Sequence, residues 1–251
     1  MSSSELPLVV LVPGAFGTPA GFAKLLPHLN GLQTAPGAYP SSNPSGPLNT
    51  SCSDDISALR NTLLSHLDQQ HDLVILAHSY GGVVAGGAAK GLDKESRKAQ
   101  GYSSAVLGLV YVAGNITLEG ESLFEAIGGA YPPFIQMHKP AHSLALIEPA
   151  EDVLYNDCEP VEKTMSPHAL QAFETKASAP AWRDKGFDGR ITYIRTANDH
   201  CNPPSIQDAW IEKSDVKWNI VNFETGHMPF ISQPEALGAE IVKFVEDVVK
   251  L

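Results

Sequence analysis

Three residues of this 251-residue chain stand in an order that suits nucleophilic chemistry: Ser79, then Asp199, then His227. A serine hydroxyl attacks a carbonyl carbon only when a base takes its proton, and the base needs an acid to orient it. Ser79 lies in Ala77-His78-Ser79-Tyr80-Gly81, where small residues two before and two after the serine let a strand turn sharply into a helix. Such a turn lifts the hydroxyl clear of the backbone. Asp199 and His227 each follow a strand-like run, so all three can converge at one edge of a parallel sheet. Asp208 and Glu224 are alternative acids, and Asn115 cannot supply a charge. Two backbone N–H groups must meet the oxyanion of an attacked carbonyl. Tyr80, next after the serine, offers one. The Gly14-Ala15-Phe16 loop offers the second, at Ala15.

The elements that must position these groups alternate. Buried strands are expected at Leu8–Val12, Gln33–Ala38, Val74–Ala77, Ala105–Ala113 and Arg190–Arg195, with a more polar edge strand at Lys217–Phe223. Helices are expected at Phe22–Leu29, at Asp54–Gln69 with Ser53 as its cap, from Ser79 to near Gly91, at Ser205–Lys213 and at Glu235–Val249. Lys94–Gly101 reads as a charged, exposed connection. Strand–helix alternation implies an α/β fold with a mostly parallel sheet and helices on both faces. From 115 to 185 the rhythm breaks. Strand-like runs disappear, and prolines such as Pro132, Pro133, Pro140, Pro149, Pro160, Pro167 and Pro180 punctuate short helical pieces. The segment reads as a helical cap inserted into a single domain spanning 1–251. Its aromatics Phe124, Tyr131, Phe134, Phe173 and Trp182 suit an apolar pocket wall. Phe16, His78 and Met228, which flank the motifs, are expected to line the same pocket.

The composition narrows the partners. Seventeen Lys and Arg against 28 Asp and Glu give a net charge of −11, which opposes nucleic acid and anionic membranes. Cys52, Cys158 and Cys201 form no CxxC pair, and the two histidines of His138-Lys139-Pro140-Ala141-His142 are separated by a helix-breaking proline. No GxGxxG is present, and no tyrosine has a lysine four residues later, so nicotinamide chemistry is not expected. No cofactor and no metal are expected. The first seven residues lack the features of a secretory leader. The expectation is a soluble cytoplasmic protein acting on a small hydrophobic molecule, with a homodimer left open.

Four stretches carry a family resemblance: Leu8–Ala15, Ala77–Gly82, Asn198-Asp199 with Pro203 downstream, and Thr225–Phe230. With them the chain resembles the α/β-hydrolase superfamily from end to end, and within it the branch of methyl esterases, hydroxynitrile lyases and related microbial esterases. Tyr155-Asn156-Asp157 and Ser166–Leu170 look like a fungal-type subgroup. The resemblance implies Ser79 as nucleophile, Asp199 as acid, His227 as base, and Ala15 and Tyr80 as the oxyanion hole. Pro13 departs from the histidine that many members carry there. The lyases of the branch have a lysine after the catalytic histidine and a threonine in the oxyanion loop. Met228 and Gly14 stand at those places, and Gly14 is expected to leave room for an ester carbonyl. The resulting expectation is a carboxylic-ester hydrolase, for esters, lactones or thioesters, acting through an acyl-enzyme. A lyase or cyclase using the same pocket, and a ligand-binding protein on this scaffold, are the competing readings.

Overall fold

The structure, a computed structural model, describes residues 6–42, 48–159 and 165–251. Most of the stretch read for a leader, and Pro160 of the insertion, lie outside the described residues. Six strands form the main sheet: β1 (Leu8–Val12), β2 (Thr34–Pro36), β3 (Leu73–His78), β4 (Val106–Val112), and, beyond an insertion, β8 (Ile191–Thr196) and β9 (Asn219–Phe223). Their order is β2-β1-β3-β4-β8-β9, and every pairing is parallel. Strand β3, which leads into Ser79, therefore sits near the middle. Its six residues are all buried, as are the seven of β4. Side chains packed on both faces favour continuous apolar runs such as Leu-Val-Ile-Leu-Ala. Strand β9 forms the edge, and its Asn219, Ile220 and Asn222 are exposed.

The helices are α1 (Cys52–Asp68), α2 (Gly81–Ala88), α3 (Lys94–Ala99), and, after the insertion, α7 (Pro204–Ser214), α8 (Pro229–Ser232) and α9 (Pro234–Lys250). Helix α1 buries Ile56, Leu59, Leu63 and Leu67. Its cap is Ser51 rather than Ser53: Ser51 Oγ accepts the Asp54 N–H, and the Asp54 carboxylate accepts the Ser51 N–H in return. Helix α2 lies close against its neighbours because its glycines have no side chains. A Cβ on Gly87 would come within 2.6 Å of Ile56 on α1.

Two further local expectations fail. Phe22–Leu29 is not an α-helix. It consists of two short 3-10 turns, Pro19–Phe22 and Leu26–His28. Pro27 offers no N–H to a helix and its ring crowds the preceding turn. Phe22, Leu25 and Leu29 still face the core, whereas Leu26 is exposed. Lys94–Gly101 is not merely an exposed connection either. Asp93 Oδ1 caps α3 by accepting the Glu95 and Ser96 N–H groups, and Arg97 is buried, its Nε donating to Ser104 O.

The insertion between β4 and β8 holds α4 (Leu123–Ala126), β5 (Ile135–Met137), β6 (Leu144–Ile147), α5 (Ala150–Val153), β7 (His168–Ala169) and α6 (Leu170–Glu174). It is not purely helical. Strands β5, β6 and β7 make a small antiparallel sheet. They are two to four residues long, too short to show a clear period of two. Trp182, expected in a pocket wall, is buried beside Trp218 under the sheet.

A buried carboxylate lies beneath α2. Asp55 on α1 accepts the Tyr80 hydroxyl through Oδ2 at 2.8 Å and the Ser41 N–H through Oδ1 at 2.9 Å. Burial outweighs these bonds and raises its pKa to about 6. The unfolded chain ionises Asp55 near pH ~4, so the folded state binds more protons between those values. Its full stability contribution is present below pH ~4 and is lost as pH rises through about 6. The shift corresponds to about 3 kcal/mol. Denaturant midpoints should therefore show a falling Asp55 component over that window. Asp55→Asn should flatten it, and an unchanged slope in that variant would contradict the assignment.

Candidate active site

The turn from β3 into α2 is as sharp as its small residues allow. Ser79 has φ 50°, a left-handed conformation that a non-glycine residue adopts only when its surroundings hold it there. Those surroundings are its own backbone bonds: Ser79 N–H to Val112 O at 3.1 Å, and Ser79 O to the N–H groups of Gly82 and Asn115. Gly81 has no space for a side chain, since a Cβ would stand 2.4 Å from Pro13 O. The β1 loop thus presses directly on the turn, and Ala15 and Phe16 reach the same cavity as Ser79. Among the described residues the N–H groups of Ala15 and Tyr80 have no protein acceptor.

Asp199 and His227 come from the loops after β8 and β9. His227 Nδ1 donates to Asp199 Oδ2 at 2.8 Å, which leaves Nε2 unprotonated when the ring is neutral. Asp199 is held by three further donors: Thr196 Oγ1 on Oδ2, and the Cys201 and Asn202 N–H groups on Oδ1, each at 2.8 Å. These fix the carboxylate before any ligand arrives. Asp199 is 3% exposed and His227 1%. The alternative acids are elsewhere. Asp208 makes a two-pronged ion pair with Arg195, and among the described residues the carboxylate bonded to His227 Nδ1 is that of Asp199, not Glu224. Burial disfavours a charged His227 ring, but Asp199 and the nearby Cys201 outweigh it, and the pKa lies well above the ordinary histidine value.

The cavity that Ser79 and His227 share encloses about 240 Å³. Its wall is mostly apolar: Leu123, Ile127, Tyr131, Phe134, Ile135, Ile147, Leu154 and Phe173 from the insertion, with Ile206 from α7. Phe16, Tyr131 and Phe134 are where they were expected. Phe124 does not reach the cavity; it stands behind Tyr131, ring centroids 4.9 Å apart. His78 and Met228 are also displaced from expectation, because they line a smaller cavity on the far side of the Gly14–Phe16 loop. His78 is buried, and its Nε2 donates to His227 O at 2.9 Å. Burial, and then the neighbouring His227, hold its pKa well below the ordinary value, so the ring is neutral. Gly14 itself packs tightly against the nucleophile turn. A Cβ there would lie 2.7 Å from His78 Nδ1 and 2.9 Å from Ser79 Cβ, so Gly14 permits close packing of its loop against the turn.

Sequence reasoning missed Leu154, Cys201 and Asn202 in the cavity wall, and assigned Asn115 no place there. For Cys201 and Asn202 the signal was proximity to Asp199. Leu154 gave none, since its approach depends on how the insertion folds back.

Comparison with known proteins fits this geometry. Residues 9–240 match the model of the Alpha/beta hydrolase family. The chain belongs to that family. It is 26% identical to an alpha/beta hydrolase, nvfD, of Aspergillus novofumigatus over 238 residues, covering 91% of this chain and 92% of that one. It is 25% identical to a probable hydrolase, R7, of a Phoma species over 250 residues, covering 94% and 97%. Among solved structures, a pyrethroid hydrolase of Sphingobium faniae superposes with a TM-score of 0.74 at 19% identity, covering 98% of this chain and all of that one. An Arabidopsis methylesterase superposes with a TM-score of 0.69 at 20% identity, covering 96% and 100%. The fold is the α/β-hydrolase fold, and family and relatives together support hydrolase activity in general terms. No helix among the described residues is long and apolar enough to cross a membrane.

Proposed function

We propose that the chain is a serine hydrolase that cleaves carboxylic esters of small, largely apolar molecules through an acyl-enzyme. One observation carries this reading: Ser79, on a left-handed turn, shares an apolar cavity with His227, whose Nδ1 is bonded to the buried Asp199. In this scheme His227 Nε2 takes the Ser79 proton as Oγ attacks the ester carbonyl carbon. The Ala15 and Tyr80 N–H groups receive the oxyanion. Imidazolium then protonates the leaving alkoxide, and the acyl group stays on Ser79. Water, deprotonated by His227, releases the acid and restores the serine. The insertion acts as the cap that chooses the substrate, and its aliphatic and aromatic lining suits a hydrophobic ester.

The test is mass spectrometry after exposure to a fluorophosphonate, together with turnover of 1-naphthyl acetate. The expected result is a single adduct on Ser79 and measurable ester cleavage. Cyanide release from mandelonitrile without ester cleavage or adduct would overturn the reading.

A further inference from the structure

We propose that Asp157, supported by Asn156, is a positioning residue that holds His227 against Asp199; in the language of catalysis this rests on the hydrolase reading above. Both belong to the turn that follows α5 in the insertion. Asp157 Oδ2 accepts the N–H of Gly226, the residue directly before His227, at 2.7 Å. Asn156 Nδ2 donates to the carbonyl of Asn198, the residue directly before Asp199, at 3.0 Å. The circuit closes through the Asn198 N–H, which donates to Thr225 O at 2.9 Å. Two neighbouring side chains of the insertion therefore grip the two loops that carry the acid and the base.

The fit around Gly226 shows how close the grip is. A Cβ on Gly226 would stand 2.3 Å from Asn156 Oδ1 and 2.7 Å from Asp157 Oδ1. The same segment also touches the ligand space, because Leu154 lines both cavities. The insertion thus contributes to the alignment of the base as well as to the wall of the pocket. Asp157 is an exposed residue, so solvent screens its charge and the bond to Gly226 is the main link.

The experiment compares the full-length chain with Asp157→Ala, Asp157→Asn and Asn156→Ala. The asparagine side chain keeps an oxygen that can accept the Gly226 N–H. Asp157→Ala should lower kcat on 1-naphthyl acetate by roughly ten- to a hundred-fold, the scale of an ångström-level misplacement, with KM little changed. Asp157→Asn should recover most of that loss, and Asn156→Ala should fall between. Histidine-ring NMR supplies a readout that needs no turnover. The groups facing the His227 ring are Asp199, Cys201, Ser79 and His78, all unchanged in these variants. Loosening the Asp199 bond should move the His227 titration toward lower pH in Asp157→Ala and leave it near wild type in Asp157→Asn. A His227 titration unaltered in Asp157→Ala, or equal damage in Asp157→Asn and Asp157→Ala, overturns the proposal. Absence of both a Ser79 adduct and ester cleavage in the wild type would instead refute the hydrolase reading, and the NMR comparison would still decide the role of Asp157.

Discussion

Ser79→Ala is expected to remove ester hydrolysis and fluorophosphonate labelling together, with turnover falling by about 10⁶-fold, the cost of deleting a serine nucleophile in other enzymes. The remaining oxyanion donors and the apolar cavity should still bind substrate, so binding of a slowly reacting ester should persist. The fold should barely change. The bonds that hold the turn run through the Ser79 backbone, which alanine keeps, and alanine meets the same left-handed strain as serine. Thermal unfolding should shift by no more than the roughly 0.5 kcal/mol typical of changes that disturb no packing. Purified Ser79→Ala with turnover near wild type would rule out the acyl-enzyme.

Asp199→Asn is expected to cost up to about 10⁴-fold in turnover. The loss has two sources. The carboxylate stabilises the imidazolium formed during attack, and it fixes which ring nitrogen is protonated. An asparagine that turns its NH₂ toward Nδ1 would favour the wrong tautomer. The pH profile should show the change in sign. Only the neutral ring accepts the serine proton, so wild-type activity should rise with pH through the His227 titration, with its midpoint above the ordinary histidine value of ~6.5. Removing the Asp199 charge should move that midpoint to lower pH, because burial then acts with less opposition. Asp208→Asn should have little effect, since its carboxylate pairs with the half-buried Arg195 and not with His227, and Glu224→Gln likewise, because the carboxylate on His227 Nδ1 is that of Asp199. A larger loss at Glu224 than at Asp199 would mean that the acid is misassigned.

The sequence by itself determined the α/β layering and the candidate nucleophile, acid and base. Continuous apolar runs such as Val74–Ala77 and Ala105–Ala113, alternating with helical stretches, read as strands buried on both faces of a parallel sheet. The small residues around Ser79 could only serve a tight turn. Helical stripes such as Leu237, Ile241, Phe244 and Val248 named their own inward face. These signals are local, because each is set by the period of one element. Tertiary structure decided most of the rest. Pro27 is itself a local signal, masked by the apolar spacing around it: it ends the helix expected over Phe22–Leu29. The burial of Arg97, by contrast, turned a charged stretch into a packed helix only through its neighbours. The strands of the insertion were too short to signal themselves. His78 and Met228 sit within a residue of Ser79 or His227, yet the Gly14–Phe16 loop separates them from the main cavity. Gly14 packs tightly against His78 and Ser79, a fact fixed by two loops meeting. The grip of Asn156 and Asp157 on the Asp199 and His227 loops spans 42 and 69 residues of chain. Contacts at that range arise from how the insertion returns to the sheet edge, and no local spacing encodes them.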